Sequence, residues 1–246
     1  MKGDGDSPAR LYLFSLSTST VPLPTGNSLE MVLPAYLVET ARGRRILIDT
    51  GMAPDAPRPS QAPPASDETT VLEQLAALGL RPEDIDLVVC THFDVDHAGF
   101  HDRFAASEFV VQQKHYEIAR KGDLRFALAR SHWDHPALRY SLIDGDNELF
   151  PGFTLLETSG HAPGHQSVLL RLPRTGSVLL AIDAVMLGRL FTPERKAGPI
   201  DQDEQQLRAS TRKLMQIVER EKVALVVFGH DGKQWRDLIK APEFYD

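Results

Sequence analysis

A dense group of side chains that can bind metal ions occupies residues 92–97 of this 246-residue chain, in the order His-Phe-Asp-Val-Asp-His. Imidazole and carboxylate groups together suit Zn²⁺, and also Fe or Mn. On a tight turn between a strand and a helix, His92 and Asp94 can point one way while Asp96 and His97 point another. This spacing therefore favours two metal ions over one.

Three further candidate ligands follow short apolar runs elsewhere in the chain. They are His161 after residues 154–158, Asp183 after 178–182 and His230 after 224–228. Because strand ends are where a scaffold presents catalytic groups, we expect these residues and His92 to meet at one edge of the fold. A lone histidine is usually a surface residue and a lone aspartate is usually a cap or turn former. The joint pattern favours a two-metal hydrolytic site with one shared carboxylate.

Hydrophobic periodicity predicts the elements that must position these groups. The predicted strands span residues 11–16, 35–40, 45–49, 85–90, 109–112, 154–158, 168–172, 178–182 and 224–228, with helices over 71–78, 116–119 and 201–218. Thr70 with Glu73 and Asp201 with Glu204 predict a capping box for the first and last helix. The proline-rich segment 53–66 is predicted to be a loop. We expect a single α+β domain over residues 1–246, with helices outside two strand-rich halves.

Composition narrows the classes of protein to which the chain can belong. The net charge of −7 is spread along the sequence, which argues against a nucleic-acid partner. No run approaches the roughly 20 apolar residues that span a bilayer, and the first ten residues lack the apolar segment of a secretory signal. Cys90 is the single cysteine, so no disulfide can form within the chain. We therefore expect a cytoplasmic protein with no membrane partner.

Residues 92–97 resemble the H-x-H-x-D-H motif of the metallo-β-lactamase superfamily. Within that superfamily the chain is most similar to the N-acyl homoserine lactonase branch, on residues 96–99 (Asp-His-Ala-Gly), 160–167 (Gly-His-Ala-Pro-Gly-His-Gln-Ser), 182–184 (Ile-Asp-Ala) and 229–231 (Gly-His-Asp). The resemblance extends from residue 47 to residue 230. It implies a four-layer αβ/βα sandwich with the site along one edge.

The resemblance also implies a role for each candidate ligand. It places His92, Asp94 and His161 on the first metal ion and Asp96, His97 and His230 on the second, with Asp183 bridging the two. Asp96 and Asp183 would be the catalytic residues. Asp49 would orient a ligand histidine through its free ring nitrogen, and His165 would support its loop.

Two positions depart from the family pattern. Asp94 stands where the motif has a second histidine. A carboxylate at this position makes Fe, Mn or Co candidates for the first site beside zinc, or else it weakens binding of the first metal ion. Several lactonases carry a tyrosine shortly after the bridging aspartate, whereas residues 184–187 hold none. Met186 is then a candidate substrate contact in that stretch. His132 and His135 are further candidates, at the rim of the pocket.

The predicted reaction is hydrolysis of a small lactone of the N-acyl homoserine lactone type, with quorum quenching as its biological outcome. A hydroxide that bridges two divalent metal ions, zinc being the first choice, would attack the lactone carbonyl. The main alternative is the same site acting on a thioester, a phosphodiester or another ester. A di-iron oxidoreductase and a degenerate binding module are weaker alternatives. The expected partner is a small-molecule ester or lactone, and a homodimer is left open.

Overall fold

The structure is a computed structural model, and it describes residues 6–22, 26–57 and 65–246. In chain order the strands are β1 Pro8–Pro22, β2 Ser28–Thr40, β3 Arg45–Ile48, β4 Ala65–Ser66, β5 Leu87–Val89, β6 Glu108–Gln112, β7 Arg139–Ile143, β8 Asn147–Phe150, β9 Phe153–Glu157, β10 Gln166–Leu172, β11 Gly176–Ile182 and β12 Leu225–Phe228. The α-helices are α1 Val71–Ala77, α2 Gln113–Arg120, α3 Arg130–Trp133, α4 Glu204–Arg220 and α5 Gly232–Trp235. Short 3₁₀ helices span Pro82–Asp84, His101–Phe104, Leu124–Ala129, Asp183–Val185 and Gly188–Leu190.

The first sheet has seven strands in the order β4-β1-β2-β3-β5-β6-β7. The long strands β1 and β2 pair antiparallel, whereas β3, β5, β6 and β7 are parallel neighbours. Val89, the last residue of β5, is in register with Ile48 and Val110 on its two neighbours. Because parallel strands end at the same edge of a sheet, the loop that carries His92 leaves the sheet beside the segment that follows β3.

The second sheet has five strands in the order β12-β11-β10-β9-β8. Its neighbours pair antiparallel except β11 and β12, which run parallel with Leu180 opposite Val227. Asp183 follows β11 and His230 follows β12. The parallel pairing therefore brings these two residues out at the same end of the sheet.

Apolar side chains of both sheets form one central core. Fully buried residues from the first sheet, such as Val38 and Ile48, pack in the same cluster as Leu155, Val168 and Leu180 from the second. Successive side chains of a strand point to opposite faces, so the intervening residues face outward. This alternation leaves each sheet with a second apolar face to cover.

Helices cover these two outer faces. On the first sheet, Val71 and Leu75 of α1 pack in one cluster with Leu47 and Val88. On the second sheet, α4 lays Leu214 and Ile217 against Leu179 and other outward residues. The layers therefore run helix, sheet, sheet, helix, which confirms the predicted αβ/βα sandwich.

The two predicted helix caps have different outcomes. Thr70 and Glu73 form the expected capping box at the start of α1. The predicted start of α4 is wrong, because the helix begins at Glu204 and its N-cap is Asp203, whose side chain accepts a hydrogen bond from the backbone of Gln206. Asp201 is not free to cap the helix, since its carboxylate contacts His161 and the backbone of Gly198.

Two edge strands, β7 and β8, were not foreseen. Within the predicted loop 53–66, residues 58–64 lie outside the described part of the chain. The loop prediction is wrong for Ala65–Ser66, which pair with β1.

In the described residues, no helix combines the length and the apolar character that a membrane span requires. That residues 1–246 form one domain stays a prediction.

Candidate functional site

The turn after β5 is held in place by a buried carboxylate from the neighbouring strand. Asp49 follows β3 in a left-handed backbone conformation, with a φ of 60°. It accepts hydrogen bonds from the backbone nitrogen of Thr91 at 2.9 Å and from the Thr91 hydroxyl at 2.7 Å. Its Oδ2 also lies 2.8 Å from Nδ1 of His97. Asp49 therefore leaves Nε2 of His97 as the nitrogen that faces the site, and its role in orienting a metal ligand stays a prediction.

His92 is positioned by its immediate neighbours. Its Nδ1 lies 3.0 Å from the hydroxyl of Thr91, which leaves Nε2 free to face inward. The next residue, Phe93, donates its backbone N–H to Nε2 of His115 at 2.8 Å, and Nδ1 of His115 lies 2.6 Å from the carbonyl oxygen of Pro163. Burial is the main reason that the pKa of His115 falls to about 4, so a neutral ring accepts this hydrogen bond. His115 therefore links the His92 turn to the His161 loop.

His161 lies on the loop after β9, and Asp201 holds its ring. Oδ1 of Asp201 lies 3.0 Å from Nδ1 of His161. Nε2 of the same ring lies 3.2 Å from Oδ2 of Asp94 and 3.3 Å from Oδ2 of Asp183. The loop packs tightly, since a Cβ at Gly160 would lie 2.2 Å from the backbone nitrogen of Leu207.

Asp183 begins a 3₁₀ turn after a residue, Ile182, that has a φ of 50°. Its backbone N–H donates to Nε2 of His165 at 3.2 Å, and Nδ1 of His165 lies 2.9 Å from the hydroxyl of Thr158. His165 is thus engaged on both ring nitrogens and connects two loops. Its two ring nitrogens are therefore not among the candidate ligand atoms, and the loop-supporting role that the resemblance implied stays a prediction.

His230 follows β12 and completes the cluster. Its Nδ1 donates to the carbonyl oxygen of Val32 at 2.8 Å, so Nε2 is the nitrogen that faces Asp183. Gly229 precedes it, and a Cβ there would lie 2.8 Å from Oδ1 of Asp183 and 2.6 Å from the carbonyl oxygen of Ile182. Only glycine leaves Asp183 and His230 room to stand side by side.

The candidate ligand atoms form two groups. His92, His161 and Asp183 bring one donor atom each within 4.8 Å of one another, and Asp96, His97 and His230 do the same. Asp183 faces both groups, because its Oδ1 also lies 3.6 Å from Nε2 of His97 and 3.0 Å from Nε2 of His230. Six of the seven predicted ligands thus fall into these groups, and the seventh, Asp94, contacts the first.

The donor set fits metal ions. Nε2 of His92, Nε2 of His97 and Oδ1 of Asp183 are buried and make no well-aligned hydrogen bond to any described residue, although Oδ1 lies 3.0 Å from Nε2 of His230. Buried polar atoms without a partner are costly, and a bound cation would satisfy all three. The mixture of imidazole and carboxylate is a set that divalent cations accept.

The charge states of two candidate ligands, His92 and Asp183, suit a cation. Burial, followed by the charge of His97, lowers the pKa of His92 to about 3, so its ring is neutral and can act as a ligand. Burial opposes ionisation of Asp183, but His230, His97 and His161 outweigh it and hold the pKa of that carboxyl well below its ordinary value. A neutral imidazole and an ionised carboxylate are the forms that bind metal.

Arg125 is a site residue that sequence reasoning missed. Its Nε donates to Oδ1 of Asp94 at 2.7 Å and its Nη2 donates to Oδ2 at 2.5 Å. Burial disfavours the Asp94 carboxylate, but His92, His161 and this guanidinium together hold the pKa of Asp94 well below its ordinary value. Nothing local in the sequence marks Arg125, because it lies 31 residues from its partner.

Comparison with known proteins decides the family. The model of the metallo-beta-lactamase superfamily matches residues 33–230. The chain belongs to this superfamily. Over 96% of its length it is 32% identical to an N-acyl homoserine lactonase from Bacillus cereus, of which it covers 96%. It is also 32% identical to the N-acyl homoserine lactonase AttM from Azorhizobium caulinodans, over 90% of each chain.

Solved structures of the superfamily share the fold. A variant of AiiA from B. thuringiensis, with N-decanoyl-L-homoserine bound at its active site, matches with a TM-score of 0.84 and 30% identity, over 97% of this chain and 100% of that one. An N-acyl homoserine lactone hydrolase with the product N-hexanoyl-L-homoserine bound at its catalytic metal centre matches equally well, with the same TM-score, identity and coverage.

The three candidate substrate contacts of this superfamily member lie in different surroundings. His132 is engaged on both ring nitrogens, by Asp102 at 2.7 Å and by Asp55 at 2.8 Å. His135 is exposed, and Met186 is half-buried just after the turn that carries Asp183. Their role in substrate binding stays a prediction, and so do the individual ligand roles.

Proposed function

We propose that this chain hydrolyses the lactone ring of N-acyl homoserine lactones with the help of two divalent metal ions. The observation that carries the proposal is Asp183, whose carboxylate faces both groups of candidate ligands. Near-full-length similarity to N-acyl homoserine lactonases supports the substrate class. A related structure with the ring-opened product at its metal centre supports the reaction.

The proposed ligands divide between the two metal ions as the family resemblance implies. His92, Asp94 and His161 would hold the first, Asp96, His97 and His230 the second, and Asp183 both. When bound, such a pair of cations supplies a nucleophile at neutral pH and polarises the carbonyl of the ester. Zinc is the metal that we propose, with Fe, Mn or Co as alternatives beside Asp94.

The protein's own contribution is orientation. Asp49 and Asp201 accept from the outer ring nitrogens of His97 and His161, which fixes the inner nitrogens toward the site. The carbonyl oxygen of Val32 does the same for His230. Five separate loops are thereby fixed around one small volume, so little rearrangement would be needed when a substrate binds.

No cysteine nucleophile is available for a covalent mechanism. Cys90 is the single cysteine of the sequence, and it is fully buried beside the site, with its Sγ 3.5 Å from the carbonyl oxygen of His92. Burial, and then the charge of Asp49, raises the pKa of the Cys90 thiol well above its ordinary value. A buried neutral thiol neither attacks an ester nor reaches one. This excludes Cys90 as the nucleophile and agrees with attack by water, which the two-metal proposal requires.

A direct assay tests the proposal against its alternatives. Purified protein is given N-hexanoyl- and N-decanoyl-L-homoserine lactone, a thioester and a phosphodiester, and acid release is followed at constant pH. The metal content of the same sample is determined by elemental analysis. We expect hydrolysis of the lactones, loss of that activity on chelation and recovery on adding Zn²⁺. Hydrolysis of the thioester or the phosphodiester alone would contradict the proposed lactone substrate. It would leave the proposed metal site unchanged.

Two finer points belong to the same proposal. A cytoplasmic location remains the expectation that the sequence raised, and fractionation of cells followed by detection of the protein would test it. Whether the chain forms a homodimer is decided by its mass in solution, measured by light scattering.

A further inference from the structure

The guanidinium of Arg125 makes three hydrogen bonds to two partners. It stands in the 3₁₀ helix Leu124–Ala129, whose N-cap Asp123 accepts from the backbone nitrogen of Arg125. The guanidinium binds both oxygens of Asp94 in a fork, and its Nη1 donates to the carbonyl oxygen of Ile200 at 2.7 Å. A planar fork of this kind fixes the orientation of a carboxylate as well as its charge.

The ion pair also contacts the first group of candidate ligands. Nη2 of Arg125 lies 2.8 Å from Nε2 of His161. Oδ2 of Asp94 lies 3.2 Å from the same nitrogen and 3.4 Å from Nε2 of His92. The pair is largely shielded from water, since the Arg125 and Asp94 side chains are 19% and 17% exposed. Electrostatic interactions between such groups are screened less than those at the surface.

We propose that Arg125 and Asp94 act as one unit at the first metal site, and that Arg125 is a positioning residue for the metal ion. The carboxylate carries one negative charge and the guanidinium one positive charge, so together they add none. The first site then offers a cation the single net charge of Asp183, with a carboxylate oxygen of Asp94 held in a fixed direction. This inference rests on the proposed two-metal site.

If Arg125 and Asp94 act together, the effect of replacing Asp94 on zinc affinity should depend on whether Arg125 is present. In Asp94→His, a ring nitrogen replaces the carboxylate, but the buried guanidinium loses its counter-charge while it stays near His161. An uncompensated cation beside the site repels a metal ion, so we expect the affinity of the first site for Zn²⁺ to fall at least about ten-fold. In Asp94→His/Arg125→Met the cation is gone, and we expect affinity within about three-fold of the wild type.

The experiment titrates metal-free protein with Zn²⁺ against a competing chelator, and counts bound zinc by elemental analysis. The spectrum of the Co²⁺-loaded protein gives a second readout of the ligand set. Arg130→Met is the matched control, because Arg130 makes an exposed ion pair with Asp134 at 3.1 Å outside the site and its loss should leave zinc binding unchanged. The melting temperature of each metal-free variant checks that it folds.

Two outcomes would overturn the inference. One is an Asp94→His protein that binds two zinc ions as tightly as the wild type, and the other is a double variant as weak as the single one. If these variants fail to fold, a second pair, the isosteric Asp94→Asn and Asp94→Asn combined with the shorter, uncharged Arg125→Gln, should show the same loss and recovery. Because zinc binding is measured without substrate, a protein that binds two ions but opens no lactone contradicts the proposed function and leaves this inference standing.

Discussion

Oδ1 of Asp201 lies 3.0 Å from Nδ1 of His161, and this contact holds the imidazole with Nε2 toward Asp94 and Asp183. Carboxylates behind ligand histidines typically contribute 10- to 100-fold to metal affinity. We therefore expect Asp201→Asn to weaken binding of one zinc ion by about that factor. Titration of the metal-free variant against a chelator measures this directly.

Asp203 offers the matched control for that substitution. It lies two residues away and caps α4 through the backbone nitrogen of Gln206 at 2.9 Å. We expect Asp203→Ala to lower the free energy of unfolding by about 1 kcal/mol and to leave zinc affinity unchanged. If both variants lose zinc equally, the effect belongs to the segment before α4 and not to the Asp201–His161 contact.

Gly229→Ala is expected to disturb the bridging carboxylate. The added Cβ would lie 2.8 Å from Oδ1 of Asp183, closer than nonbonded atoms tolerate, so Asp183 must move. We expect loss of zinc from both sites, measured by elemental analysis after dialysis. Gly43→Ala is the control, because Gly43 has a φ of 81° but open space around it. It should cost roughly 1–2 kcal/mol of stability from backbone strain and retain two zinc ions.

The sequence predicted the parts of the fold and site that leave a local pattern. His92, His161, Asp183 and His230 each follow an apolar run, and the strands that these runs form do converge at one edge. The capping box of α1 was visible because its two residues lie three apart.

The rest depends on contacts between distant residues, which no local pattern records. Arg125 lies 31 residues from Asp94, and Asp201 lies 40 residues from His161. The helix-cap interpretation of Asp201 was reasonable for its position, but a buried histidine takes that carboxylate instead. Strands β7 and β8 were not predicted from the sequence because they lie at sheet edges, where partly exposed positions weaken the apolar pattern.

Metal binding should release protons. Burial favours the neutral ring of His97, but Asp96, Asp183 and Asp49 outweigh it and raise its pKa to about 10 in the metal-free protein. Asp183, Asp201 and Asp94 likewise outweigh burial at His161 and raise its pKa to about 9. A cation needs the unprotonated nitrogen, so zinc binding at pH 7.5 should displace at least about two protons, one each from His97 and His161. Calorimetry in buffers with different enthalpies of ionisation counts them, and a count near zero would contradict these charge states.

His132 should make stability depend on pH. Burial favours its neutral form, but hydrogen bonds to Asp55 and Asp102 outweigh burial and raise the pKa of His132 above its ordinary value of 6.5. A folded-state pKa above the unfolded one means that the contribution is complete below pH 6.5 and is lost as pH rises through the folded-state pKa. We expect His132→Gln to be more destabilising at pH 6 than at pH 9, measured by urea unfolding. His135→Gln, at an exposed position, is the control for the loss of an imidazole side chain as such.

The rate of ring opening of N-hexanoyl-L-homoserine lactone, measured with the metal content of the same sample, tests the central claim most directly. We predict that the wild-type protein with two bound zinc ions opens the ring, and that Asp183→Asn is at least about a hundred-fold slower. A wild-type protein that holds two metal ions and leaves the lactone intact would contradict the claim, as would an Asp183→Asn protein that opens the ring at the wild-type rate.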